Sequence, residues 1–312
     1  MNIDIAVLSD IHGNYIALKS CMDYALARGI YRFIFLGDYV GELAYPERTM
    51  QMIYDIRNRY ECYFIKGNKE DYWLDYQSNG EKGWKDYDST TGSLSYAYRH
   101  LTEKDLDFFR ELQPAQIITI CDMPSITICH GSPRKLTEKL LPGDSRTYEI
   151  MASTNSDVIL CGHTHIQNKI EHCGKIVLNP GSVGVPLNSD GKAQFLILHG
   201  KNQAWAEEFI SLEYNVSQAI EELRESGLDK YAPYWCRVTA NLLRRGTPSH
   251  NTVLIRAMAL CVAETGTCVW PDIPEQCWKQ AVEEMLPVSI SETYTEKNSK
   301  TDRSNTDDLQ NH

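Results

Sequence analysis

The stretch that most constrains this chain is Ile3-Asp4-Ile5-Ala6-Val7-Leu8-Ser9, followed at once by Asp10-Ile11-His12-Gly13-Asn14. The apolar, partly β-branched run from Ile3 to Leu8 reads as a buried strand. It delivers a carboxylate and an imidazole, two residues apart, just past its carboxyl end, the edge at which open α/β sheets build their sites. If the chain stays extended there, side chains alternate and Asp10 and His12 point the same way. The pair could then grip one metal ion from one side. An Asp-x-His triplet alone is common in surface turns, so its partners decide.

The pattern repeats along the chain. Apolar spacing predicts a helix over 15–28, with Asn14 as its N-cap and Gly29 closing it. A second strand, Arg32 to Leu36, ends in Gly37-Asp38. A helix over Pro46–Arg59 leads to a third strand, Cys62 to Ile65, ending in Lys66-Gly67-Asn68. This is the rhythm of a parallel sheet with crossover helices. The stretch 72–91 is polar and aromatic without a period and reads as a long loop or lid. Helices follow at 93–100 and 103–111.

Strands return at 115–120 and 125–129, the second ending in His130-Gly131. A short helix near 146–153 precedes a strand at 157–160, ending in Cys161-Gly162-His163-Thr164-His165. Two hairpins follow, 168–172 with 175–178 and 193–198 with 205–210, the latter turning at His199–Asn202. After Glu213 the pattern turns helical, over 216–226, 231–245, 251–264 and 274–286. From Ser289 the chain is polar and is expected to be disordered. The organisation read from this is a catalytic unit over 1–213, a helical extension over 214–288 and a tail over 289–312.

Five predicted strands therefore end in metal-type ligands: Asp10 with His12, Asp38, Asn68, His130, and His163 with His165. Each has a glycine nearby that would let the backbone turn tightly. One lone histidine is usually a satisfied core residue; seven such side chains, all at strand exits, are not explained that way. The donors are oxygen and imidazole nitrogen without sulfur, which suits Mn, Fe, Zn, Ni or Co. Seven ligands are too many for one ion and suit two that share a carboxylate. Two such ions about 3.5–4 Å apart turn a shared water into hydroxide and clamp a phosphoryl group.

These blocks resemble the five-part signature of the calcineurin-like metallophosphoesterases. Asp10-Ile11-His12-Gly13-Asn14, His130-Gly131-Ser132-Pro133 and Asn179-Pro180-Gly181-Ser182 look like its small bacterial and archaeal phosphodiesterase branch. The resemblance covers about residues 1–210. It implies a four-layer α-β-β-α sandwich of two mixed sheets, here with the helical extension appended. It also implies that Asp10, His12, Asp38 and His165 hold a first ion. Asp38 would bridge to a second held by Asn68, His130 and His163. Manganese is the favoured metal, and a metal-bridging hydroxide would attack phosphorus. Asp38 and His130 are then catalytic residues.

One position departs from the family. Where its third block commonly reads Gly-Asn-His, this chain reads Gly67-Asn68-Lys69-Glu70. A lysine can offset phosphate charge, but its pKa near 10.4 suits it less than imidazole as a proton donor. Lys69 is thus the third expected catalytic residue and a phosphate contact. Branches of the family that lack this histidine tend toward phosphodiesters and are poor on alkyl monoesters, so the resemblance implies a phosphodiester substrate. Hydrolysis of dinucleoside polyphosphates, and phosphoprotein or monoester phosphatase activity, are the alternatives on the same centre. A non-catalytic metal- or phosphate-binding module is a weaker one, since all seven ligands are kept.

Asn14 and Arg134 are further candidate substrate contacts, Arg134 by bidentate pairing with phosphate. Tyr72, Trp73, Tyr76, Trp84 and Tyr87 could stack a nucleobase or simply pack their loop onto the sheet. The net charge of −11 argues against a sequence-independent grip on nucleic acid. A small phosphoester or nucleotide would meet its positive charge at the bound cations. No apolar run is long enough to span a bilayer, and the chain starts with a strand rather than a leader. The ten cysteines include no C-x-x-C pair and read as reduced, buried thiols. A cytoplasmic protein is expected.

Overall fold

Strand β1 (Ile3–Leu8) divides its side chains between two cores. Ile3, Ile5 and Val7 enter one apolar cluster and Ala6 and Leu8 another, as the two-residue period of a strand buried on both faces requires. The structure, a computed structural model, describes residues 3–286. The predicted disordered tail lies outside the described residues.

In chain order, β1 leads through α1 (Tyr15–Ala27) to β2 (Arg32–Phe35), and α2 (Pro46–Arg59) leads to β3 (Glu61–Phe64). Helices α3 (Asn68–Ser78), α4 (Gly92–Arg99) and α5 (Glu103–Glu111) follow. Then come β4 (Ala115–Ile118), β5 (Ile126–Cys129), α6 (Ser145–Ser153) and β6 (Val158–Leu160). The hairpin β7 (Gln167–His172) and β8 (Lys175–Pro180) precedes the hairpin β9 (Ala193–Lys201) and β10 (Ala204–Leu212). The chain ends in α7 (Val216–Glu225), α8 (Leu228–Tyr231), α9 (Pro233–Arg245), α10 (His250–Thr265) and α11 (Glu275–Met285).

Two five-stranded sheets result, ordered β10-β9-β1-β2-β3 and β4-β5-β6-β8-β7. In the first, β1, β2 and β3 run parallel and β9 and β10 antiparallel. In the second, β5, β6 and β8 run parallel between antiparallel β4 and β7. Both sheets are mixed, as expected. Between them lies a core of Ile5, Val7, Ile34, Ile128, Leu160 and Leu198. The outer face of the first sheet packs on α1, α2 and α5 through residues such as Leu18, Ile53 and Phe109. That of the second packs on α6 through Ile150 and Met151. The order is helix, sheet, sheet, helix.

Three expectations are corrected. The stretch read as a loop from Tyr72 begins instead inside α3, whose weak apolar period hid it. Trp73 is its fully buried anchor, and Glu70 caps its first turn by accepting from the Gly67 N–H at 2.7 Å. The last hairpin turns at Asn202-Gln203 rather than His199–Asn202, because both residues take positive φ, the twist a two-residue hairpin loop prefers. The cysteines are free thiols, but Cys121 and Cys173 are exposed.

The C-terminal helices are seated on the sandwich by two apolar clusters. Leu223, Leu228 and Leu242 pack with Leu43 and Val185, while Val253, Cys277 and Trp278 form a core among α9, α10 and α11. The buried Trp278 indole donates to Thr90 Oγ1 at 2.9 Å, and Glu275 accepts from the Ser89 N–H and hydroxyl at 2.6 and 2.8 Å. This docking positions one wall of the cleft described next. Among the described residues no helix is long and apolar enough to cross a membrane.

Candidate metal centre

The loops beyond β1, β2, β5 and β6 are laced together by their own backbone. The Asp10 and His12 N–H groups donate to Gly37 and Asp38 carbonyls at 3.1 and 2.9 Å, and Gly162 N–H donates to His130 O at 2.7 Å. The loop from Asn179 to Gly184 closes the ring. Gly184 N–H and Ser182 Oγ both donate to the Asp10 carbonyl, at 3.0 and 2.7 Å.

Asp10 and His12 do converge, but not through extended backbone. Asp10, His12, Asp38, His163 and His165 all take left-handed φ between 51° and 66°. Such a backbone costs a non-glycine residue about 1–3 kcal/mol and collects at functional sites. Two of the neighbouring glycines serve the turns as expected, Gly13 and Gly37 at φ 86° and 88°, and two others serve a different purpose. At Gly67 and Gly162 they give room: a Cβ would collide with Asp38 at the first and with Ser9 and Asp10 at the second.

The side chains meet at donor-atom range. His12 Nε2 lies 3.7 Å from Asp10 Oδ1, 3.6 Å from Asp38 Oδ2 and 3.1 Å from His165 Nε2. His165 Nε2 lies 3.1 Å from Asp10 Oδ1, and His130 Nε2 lies 3.6 Å from Asp38 Oδ2. Two triads with metal-binding geometry overlap here, Asp10–His12–His165 and Asp10–Asp38–His130. Asp10 is common to both, whereas the resemblance assigns the bridge to Asp38. Asp38 Oδ2 is nonetheless equidistant from His12 and His130.

The far sides of Asp10, Asp38, His130 and His165 are locked. Asp10 Oδ2 accepts from Ser9 Oγ at 2.5 Å and His163 N–H at 3.0 Å; Asp38 Oδ1 accepts from Lys69 N–H at 2.8 Å. His130 Nδ1 faces the Leu36 carbonyl at 2.7 Å and His165 Nδ1 the Val185 carbonyl at 3.1 Å. A carbonyl only accepts, so both Nδ1 atoms carry the proton, and in the neutral rings that ligation requires both Nε2 lone pairs face inward. His130 Nε2 then meets Asn68 Oδ1 at 3.1 Å, acceptor to acceptor. Asp10 Oδ1 is buried without a hydrogen-bond partner. Lone pairs converging on a buried point need a cation, and oxygen with imidazole nitrogen is a donor set for borderline divalent ions. The residues fit such ions. His163 joins neither triad; its ring stands edge-on to His130, centroids 5.2 Å apart.

Burial alone would raise the Asp10 carboxyl, yet the His165, His12 and His130 rings hold it well below the usual range. Burial and the neighbouring His130 push His163 down to about 4, which keeps its imidazole neutral, as ligation requires.

Lys69 stands at the cleft, but its ammonium is engaged. It donates to Glu42 Oε1 at 2.6 Å, while Glu42 Oε2 lies 2.5 Å from His12 Nδ1, off hydrogen-bond angle. Burial opposes charge on Lys69, and Glu42 and Asp38 outweigh it, raising its pKa. Two other candidates are displaced. Asn14 caps α1 through Ala17 N–H at 3.0 Å and donates to Gly184 O and Tyr214 Oη at 2.9 and 3.1 Å, leaving no amide free for substrate. The Arg134 guanidinium donates to Ser153 Oγ at 2.9 Å and borders a separate groove.

Three positions escaped the sequence reading. Glu70, fully buried, accepts from Gly67, Asp38 and Tyr39 N–H groups at 2.7, 2.9 and 2.9 Å. Burial and Asp38 push it up to about 7 against those three donors. Its signal was its capping position three residues after Gly67. Glu42 lies in irregular chain and had no signal. His250, the first residue of α10, bonds Thr239 Oγ1 at 2.8 Å and stacks on Trp235.

These groups open onto a cleft of about 710 Å³. One wall carries His12, Asp38, Lys69, His163 and His165; the facing wall, including Trp235, His250 and Trp270, comes from the C-terminal helices and their loops.

Residues 3–203 match the family model described as the calcineurin-like phosphoesterase superfamily domain. The chain is 29% identical over 246 residues to an uncharacterised protein, MJ0912, of Methanocaldococcus jannaschii, covering 73% of this chain and 94% of the other. Its fold is similar to a metallophosphoesterase from Sphaerobacter thermophilus, with TM-score 0.62 and 20% identity over 78% of this chain and 99% of that one. It is also similar to hypothetical protein PH1004 from Pyrococcus horikoshii OT3, with TM-score 0.65 and 20% identity over 79% and 100%. With its sandwich of two mixed sheets and its convergent carboxylates and imidazoles, the chain belongs to the calcineurin-like phosphoesterase superfamily.

Proposed function

We propose that the chain is a phosphodiesterase working with two divalent ions. The observation that carries this is the inward convergence of Asp10 Oδ1, Asp38 Oδ2 and the Nε2 atoms of His12, His130 and His165. Asp10, His12, Asp38 and His165 would hold the first ion, and Asp38, Asn68, His130 and His163 the second. When bound, such a pair supplies a nucleophile at neutral pH and Lewis-acid stabilisation of phosphoryl charge.

The protein's own part is preorganisation. Hydrogen bonds fix the outer atoms of Asp10, Asp38, His130 and His165, so their inner atoms need no reorganisation when charge develops. Lys69, held charged by Glu42 and Asp38, offsets negative charge at the cleft wall and keeps its proton near neutrality. A diester phosphate carries one charge, and where its leaving group is activated it needs no proton donor, which suits a site with lysine in place of an acidic imidazole. The free thiols fit a cytoplasmic setting.

The test is hydrolysis of bis-p-nitrophenyl phosphate beside p-nitrophenyl phosphate by chelator-stripped protein titrated with Mn²⁺. The expected outcome is metal-dependent turnover that favours the diester. Monoester preference would move the reading to a phosphatase, and silence on both would reject it for aryl esters. Asp38→Asn should abolish turnover and metal retention at both positions; unchanged stoichiometry with activity would reject the bridge.

A further inference from the structure

The cleft is larger than a phosphate needs, and the nearby aromatic side chains are not equivalent. Trp73, wholly buried in the sandwich core, and Tyr87, packed on Tyr231, do not line it. Tyr76 and Trp84 stack on each other with centroids 3.8 Å apart, and Trp235 is taken up by His250 and Trp278. Two cleft aromatics remain without an aromatic ring partner among the described residues: Tyr72 on α3, 41% exposed, whose ring centroid lies 5.9 Å from Lys69 Nζ, and Trp270 in the α10–α11 connection, 48% exposed. Neither belongs to an apolar core cluster. Open aromatic faces inside a concave site point to a ligand rather than to packing.

The charge of the cleft narrows the ligand. In a chain of net charge −11, this cleft is balanced: Lys69, Lys82 and Lys139 line it with Asp38, Glu42 and Asp75. Lys69 is paired with Glu42, but among the described residues no ion pair engages Lys82 or Lys139. Both are exposed. The cleft thus joins a metal-type cluster for a phosphoryl group, free cations for further negative charge, and open π-faces. An aromatic base linked to phosphate has this complement of groups, and base stacking on aromatic side chains is tolerant of base identity.

We propose that the substrate is a nucleotide-derived phosphoester, its base stacked on Trp270 and Tyr72, so that the C-terminal helices supply the base subsite and the sandwich the phosphoryl site. This rests on the phosphoesterase reading for the position of the phosphate, but not for the position of the base. Trp270 and Tyr72 are specificity-determining residues, and Lys82 and Lys139 meet the outer phosphate oxygens.

The experiment is calorimetric and NMR titration of Mn²⁺-loaded full-length protein with AMP, ribose 5-phosphate, inorganic phosphate and adenosine. AMP should bind at least about tenfold more tightly than ribose 5-phosphate, the scale of one base stack. Trp270→Ala and Tyr72→Ala should each reduce that ratio severalfold while leaving inorganic phosphate affinity within twofold. Trp270→Phe should restore it. Because neither side chain belongs to an apolar core cluster, unchanged melting temperatures should confirm that the variants fold. An AMP to ribose 5-phosphate ratio near one in the parent protein would overturn the proposal, as would a ratio that survives both alanine variants. Adenosine, which has no phosphate, separates the two readings. Adenosine binding that Trp270→Ala removes, without phosphate binding, keeps the base subsite and refutes the phosphoryl site. Phosphate binding without any contribution from the base does the reverse.

Discussion

Replacing Glu70 tests whether the centre is held by backbone hydrogen bonds to a buried carboxylate. Glu70→Ala removes the acceptor of three N–H groups, those of Gly67, Asp38 and Tyr39. A buried N–H left unpaired costs about 1–3 kcal/mol, and water filling the vacated volume recovers part of the total. About 4 kcal/mol of net loss follows, or roughly 10 °C in Tm for a chain of this size. Glu70→Gln keeps one carbonyl oxygen in the Oε2 position, where it can accept from Gly67 and Asp38. Its amide then faces the Tyr39 N–H, so about half the loss should remain. The assay is urea and thermal unfolding of all three proteins, with calorimetric titration of Mn²⁺ alongside. Metal affinity should fall in the same order, because the bonds lost are those that position Asp38 and the Gly67-Asn68 turn. An alanine variant melting within 2 °C of the parent (roughly one kcal/mol or less) would refute the reasoning. So would a glutamine variant no better than alanine.

Three further outcomes are expected. Glu42→Gln, which weakens the carboxylate held between His12 Nδ1 and Lys69 Nζ, should lower Mn²⁺ affinity about 10–100-fold by calorimetry; unchanged affinity would show that Glu42 does not orient His12. Trp278→Ala should cost about 3–5 kcal/mol in urea unfolding, because it removes a fully buried side chain and its bond to Thr90; a loss under 1 kcal/mol would mean that α11 is not anchored this way. His199 sits between Asp4 and Glu208 at 2.8 and 2.9 Å and, although burial opposes it, has a raised pKa. Its contribution is therefore full below its unfolded pKa of about 6.5 and lost as pH rises through the folded value. As the group is solvent-screened, His199→Ala should cost at most about 1 kcal/mol at pH 5.5 and nothing measurable at pH 9; an equal cost at both pH values would refute the pairing.

Much of the sandwich was legible because its strands are short apolar runs bounded by glycine and by polar exits. β1, β2, β5 and β6 each bury both faces, so their sequences carry no polar alternation to confuse. Helix α3 was not legible. Its sequence, from Asn68 to Ser78, has few apolar residues, and what makes it a helix is a capping carboxylate and one tryptophan in a core assembled from distant segments. The ligand set could be read at strand ends, while the conformation that brings it together could not. Left-handed backbone at Asp10, His12 and Asp38 is disfavoured locally and persists only because neighbouring loops hold it.

The chain alone determined the order of strands and helices and the kinds of atom placed at the strand exits, since both follow from local period and residue chemistry. Tertiary structure decided which atoms of those residues stay free. Asn14 was drawn into capping and Arg134 into another groove, Lys69 was tied to Glu42, and Glu70 was made the support of the Asp38 loop. It also decided that Trp270, far from Lys69 in sequence, lines the same cleft as the metal-type ligands. The physical reason is common to all of these. A side chain's partners are set by which surfaces the folded cores press together, and segments far apart in sequence supply those surfaces.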